Sequence, residues 1–96
     1  MNEMSEYLAH VQSTVAEARR YLPKESLTEV EDLVEHGEPA EGMCSLAWVI
    51  STRKVRVPAS LVDAIRRYSR ELIPPEQMPP DLDAFAENTN GQEQTL

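Results

Sequence analysis

Residues 33–50 read LVEHGEPAEGMCSLAWVI, and the fold turns on seven of them, Glu35-His36-Gly37-Glu38-Pro39-Ala40-Glu41. A histidine among carboxylates invites a metal or acid–base reading. The backbone preferences of the same residues are more specific. Glycine is favoured just past a helix end, where the chain turns left-handed, and proline at a first helical position, where its missing N–H is not needed. The stretch therefore predicts a helix ending at His36, a corner at Gly37 and a new helix from Pro39. His36 then has a structural task, because its cation favours the negative end of the first helix. Glu38 can cap or favour the positive end of the second.

Working outward, Ser26 and Glu29 have the spacing of a capping box, and Leu27, Val30, Leu33 and Val34 form the stripe of a helix over about 27–36. Upstream, Met4, Leu8, Val11, Val15, Ala18 and Leu22 recur at steps of four and three, which predicts a helix over about 3–21 that Pro23 ends. Downstream of the corner, Ala40, Met43, Ala47 and Ile50 make one stripe, and Cys44, Leu46 and Trp48 widen it. Nearly all-round apolarity over 43–50 predicts a central helix packed on several sides. Gly42 within it allows the close approach of another backbone.

The basic stretch STRKVRVP (51–58) alternates at Val55 and Val57, but no second strand-like segment offers a partner, so it is read as a loop. Leu61, Ala64, Ile65, Tyr68 and Leu72 give a fourth helix after Pro58, with Ser60 and Asp63 as a second cap and Pro74-Pro75 as its stop. From there the chain is rich in Pro, Asn, Gln and Glu. Leu82 and Phe85, three apart after Pro80, suit one docking turn. The expectation is all-α: a compact four-helix bundle over residues 1–74, then a flexible Pro-rich acidic tail over 75–96, extended or disordered, with a docking turn near 81–86 and disorder beyond Glu87.

Ninety-six residues suit one domain, and with 5% aromatics the core has to be built from aliphatic residues. The formal charge of -8 works against general binding to nucleic acid or anionic membrane and favours a basic protein as partner. The single cysteine, Cys44, can form no internal disulfide and lacks the companions of a zinc site. It reads as a small buried hydrophobe. No apolar run approaches the roughly 20 residues of a membrane span, and the acidic N-terminus carries no signal-like apolar stretch. A cytoplasmic protein is expected. No phosphate loop, His-Glu-x-x-His pair, nucleophile elbow or EF-hand spacing occurs. The expectation is a non-enzyme with no cofactor and no metal.

Charge placement is the remaining signal. Glu25, Glu29, Glu31, Asp32, Glu35, Glu38 and Glu41 lie within residues 25–41 with no Lys or Arg among them. Arg53, Lys54, Arg56, Arg66, Arg67 and Arg70 lie within 53–70 against one Asp63. The two blocks are either solvated faces that partly neutralise each other, or an acidic docking surface that steers a basic partner.

Leu33, Val34, His36, Gly37, Glu38, Ala40, Leu46, Ala47 and Ile50, followed by a short basic loop and a further helix near Leu61, resemble the small helical immunity proteins of bacterial polymorphic toxin systems, most closely the MafI type. The resemblance spans about residues 26–73. Pro39, Gly42 and the Pro-rich tail depart from the pattern. It implies direct binding and neutralisation of a cognate toxin domain, often a nuclease, in the cytoplasm of the producing cell. Nuclease domains tend to be basic, so charge agrees.

The expected partner surface is Glu31, Asp32, Glu35, His36, Glu38 and Glu41, with Trp48, Tyr7 and Tyr21 the large residues available as anchors or, for Trp48, as core. The expected partner is a basic toxin domain, with no nucleic acid and no membrane, and the chain itself a monomer or weak homodimer. Two alternatives stand beside this reading: a nucleic-acid-binding regulator using Arg66, Arg67 and Arg70, and a non-catalytic helical adaptor.

Overall fold

The first helix, α1 (Glu3–Ala18), buries Val11, Thr14, Val15 and Ala18 along one face. Thr14 is accommodated there because its hydroxyl donates to the His10 carbonyl at 2.9 Å. The helix ends three residues before the predicted limit. Arg20 N–H bonds back to Glu17 and Tyr21 N–H to Ala18, a tightening into 3₁₀ geometry that brings Leu22 into the core. The computed structural model describes residues 3–88. The disorder expected at 89–96 falls outside the described residues.

A 3₁₀ turn, Lys24–Leu27, leads into α2 (Thr28–Glu35). The capping box does not form. The Ser26 hydroxyl donates to the Pro23 carbonyl at 2.6 Å, a local bond that competes with capping, and Leu27 stands at the cap position with its side chain buried. The C-terminus of α2 matches its prediction. Gly37 is left-handed at φ 86, its N–H bonds to Val34, and Glu38 N–H reaches Leu33 at 2.8 Å, the paired bonds of a Schellman motif.

Helix α3 (Pro39–Arg53) starts on Pro39 with Glu38 at the cap position, where the carbonyl rather than the side chain makes the bond, to Gly42 N–H at 2.9 Å. Gly42 explains the close pairing of α2 with α3. A Cβ there would lie 2.7 Å from Val34 Cγ2 and 3.3 Å from the Val30 carbonyl. As its apolarity predicts, α3 is central and packs against α1, α2 and α4 (Ala59–Ser69). It buries Met43, Cys44, Leu46, Ala47 and Ile50. It also runs into the stretch read as loop, ending where Lys54 turns left-handed at φ 57. That conformation costs a non-glycine residue about 1–2 kcal/mol.

Helix α4 buries Leu61, Val62, Ile65 and Ser69, and the Ser60–Asp63 cap is not used, since Pro58 occupies the cap position. The helix stops well before Pro74. Arg70 leaves helical space and Glu71 is left-handed at φ 72, which turns Ile73 into the core and Leu72 outward. Leu72 was expected on the buried face. The early break is what displaces it.

Residues 75–88 correct the expectation of an extended or disordered tail over this part of the chain. Two 3₁₀ turns, Pro75–Gln77 and Leu82–Phe85, fold back on the helices and bury Met78, Pro79 and Leu82. The second coincides with the docking turn predicted near 81–86. The loop reading of 51–58 also needs correction at its end: β1 (Val57–Pro58) pairs in parallel with β2 (Ala86–Glu87), in the register Val57 with Ala86. The partner segment lacks a β-forming sequence and is delivered by the fold. The described chain is thus mostly helical, with four α-helices and little strand.

Candidate functional site

The α2–α3 corner presents its acidic residues in two groups. At about 100° per residue, Glu29, Asp32 and Glu35 fall within about 120° of the arc of α2 opposite its buried Val30 and Val34. Glu38 and Glu41 follow at the corner and in the first turn of α3. All five are exposed, and none forms an ion pair among the described residues. Glu31, expected among them, is diverted. It is half-buried against α1, where Arg19 holds it at 2.9 Å.

His36 is exposed, with Nδ1 at 2.7 Å from the Asp32 carbonyl. A carbonyl only accepts, so Nδ1 donates and the ring is fixed to the helix end. Among the described residues no group of three or more His, Cys, Asp or Glu is placed to hold a metal ion. Cys44 is buried behind the corner, with Sγ 3.5 Å from the Gln77 carbonyl. Burial, and secondarily the charge of Glu41, pushes its thiol pKa upward. Among the described residues no helix is long and apolar enough to cross a membrane.

Apolar side chains share two clefts with the carboxylates. Trp48, open to a core reading in sequence, is 43% exposed and shares a shallow cleft with Ser26 and Glu29. Its indole N–H donates to the Gln77 carbonyl at 2.8 Å, which fixes the ring. In a second cleft, Met4 and Leu72 are 66% and 61% exposed and share the lining with Glu38 and Glu41. Sequence reasoning missed both as surface residues because each extends a helical stripe. The signal against Leu72 is a helix break at Arg70 that no Gly or Pro announces.

Of the other expected anchors, Tyr7 is partly buried and its hydroxyl donates to the Tyr68 carbonyl, with burial raising its pKa. Tyr21 is exposed. The basic block is dispersed. Arg53, Lys54 and Arg56 are exposed where α3 ends, and Arg67 and Arg70 are exposed on or just after α4. Arg66 is engaged by Asp83 of the C-terminal segment at 2.9 Å. Compared with protein-family models, curated proteins and solved structures, the chain matches none.

Proposed function

We propose that the chain is an inhibitory binding protein of the immunity type, which occupies a basic, nuclease-like toxin domain through the acidic face of α2 and the α2–α3 corner. The observation that carries this reading is the set Glu29, Asp32, Glu35, Glu38 and Glu41, exposed together with no cation paired to any of them among the described residues. Like charges at helical spacing repel by a few tenths of a kcal/mol per pair. A basic partner turns that repulsion into attraction. At about 0.15 M salt the field reaches roughly 8 Å, so it steers the last stage of an encounter. Fixed Trp48 beside Glu29 supplies an aromatic contact of the kind that holds a complex once formed.

The test is co-expression with a toxin domain encoded in an adjoining gene, followed by co-purification and rescue of growth. Asp32→Lys with Glu35→Lys should slow association about 10- to 100-fold at low salt and much less at high salt, measured by stopped flow. Unchanged association would remove the proposed face. Salt-sensitive retention of duplex DNA that depends on Arg67 and Arg70 would favour the regulator instead.

A further inference from the structure

On the α1 side of the corner the chain builds a groove of about 290 Å³. Its floor is Tyr7, Pro39, Ala40 and the largely buried Ile73. Met4 and Leu72 form its two walls, most of their surface open to water. The wall at Leu72 is held by backbone geometry. Left-handed Glu71 directs Ile73 inward and leaves Leu72 outside. The volume lies at or below the low end of what small-molecule pockets enclose, and the groove is open, so it suits a protruding side chain better than a free ligand.

Its charge selects the occupant. Glu38 and Glu41 are part of its lining, and exposed Glu3 precedes Met4 in the first turn of α1. None of these carboxylates forms an ion pair among the described residues. No lysine or arginine lines the groove itself; Arg66 and Arg70 line the adjoining cleft across Leu72 and Ile73, on the side toward Pro75 and Met78. An apolar slot with carboxylates along its α3 side complements a long aliphatic side chain flanked by lysine or arginine.

We infer that the groove between Met4 and Leu72 seats an aliphatic anchor residue of a basic protein partner. The inference rests on the reading of the corner as a docking face and divides the work within it: the α2 carboxylates govern encounter, and the groove governs residence. A central apolar anchor that excludes water is the part of an interface whose truncation accelerates dissociation, whereas rim charges chiefly alter association.

The experiment uses the full chain and three peptides as probes: Lys-Lys-Leu-Lys-Lys, the same with Ser for Leu, and Glu-Glu-Leu-Glu-Glu. Each is titrated at low salt while the methyl resonances of Met4, Leu72 and Ile73 are followed by NMR. The basic leucine peptide should move all three methyls and bind about tenfold more tightly than its serine counterpart, and the acidic peptide should give no saturable shift. Leu72→Ser, at an exposed position that leaves the thermal melt unchanged, should erase the tenfold preference.

Equal binding of the two basic peptides, with none of the three methyls moved, overturns the groove and leaves the acidic face standing. A leucine preference that persists when Asp32→Lys and Glu35→Lys leave association with the toxin domain unaltered removes the α2 face and keeps the groove. Sedimentation of the free chain as a dimer that Leu72→Ser dissociates would make the groove a contact between copies and overturn the inference.

Discussion

The α2–α3 corner and the 75–88 segment are held in opposite ways. The corner is closed by its own backbone, through the Gly37 and Glu38 N–H groups, the Pro39 start and the contact that Gly42 permits. Every partner lies within about a dozen residues along the chain. The 75–88 segment is held by side chains of distant helices: Trp48 on the Gln77 carbonyl, Ser51 on Asp81 and Arg66 on Asp83, with Leu82 buried beneath. A joint built from its own backbone keeps its shape under perturbation elsewhere. A segment built from remote contacts depends on all the helices being in place.

The strongest challenge to that contrast is Leu82→Ala. Its side chain is fully buried, so the loss should be about 2–5 kcal/mol, read by chemical denaturation. If the contrast is right, hydrogen exchange will accelerate through 75–88 while the amides of Gly37 and Glu38 stay protected. Gly42→Ala attacks the other region. The added methyl meets Val34 and the Val30 carbonyl, and overpacking should cost about 1–3 kcal/mol, with α2 shifting and the C-terminal segment unmoved.

Trp48→Phe keeps most of the ring but removes its bond to Gln77, for about 1 kcal/mol, and should loosen 75–88 alone. Loss of protection at the corner in that variant would show that the two regions are coupled.

The smallest effect is one of pH. Burial raises the Cys44 thiol from its ordinary 9.0 and the Tyr7 phenol from 10.0. The unfolded chain therefore loses these protons first. The folded state keeps its advantage below pH 9 and gives it up as pH climbs through and beyond 9–10, a modest decline visible in the denaturation midpoint.

The same contrast explains what could be read from the residues alone. Gly37, Pro39 and Gly42 carry their meaning in their own stereochemistry, so the corner and the two helices it joins were legible. Leu82 and Phe85 announced a turn. Nothing local said that Met78 and Leu82 would be buried under α3 and α4, because proline-rich polar composition describes a chain's own preferences and is silent about the surface waiting for it. Ser26 and Ser60 had the chemistry of caps, but a competing carbonyl took the first and Pro58 displaced the second. At the site, composition located the carboxylates. Which of them meets a cation is a tertiary fact: Glu31 faces Arg19 only because α1 and α2 pack together. The groove at Met4 and Leu72 was hidden for the same reason.

Cys44 has a consequence as a timekeeper. Its sulfur lies under the Gln77 carbonyl, which also binds the Trp48 indole, so lifting the 75–88 segment would uncover a thiol and free a fluorophore in one event. The β1–β2 bridge closes the long loop that contains α4, so the entropy of releasing that loop favours opening there before any helix melts. Thiol labelling under native conditions would then count openings of the segment, one molecule at a time, without an engineered probe.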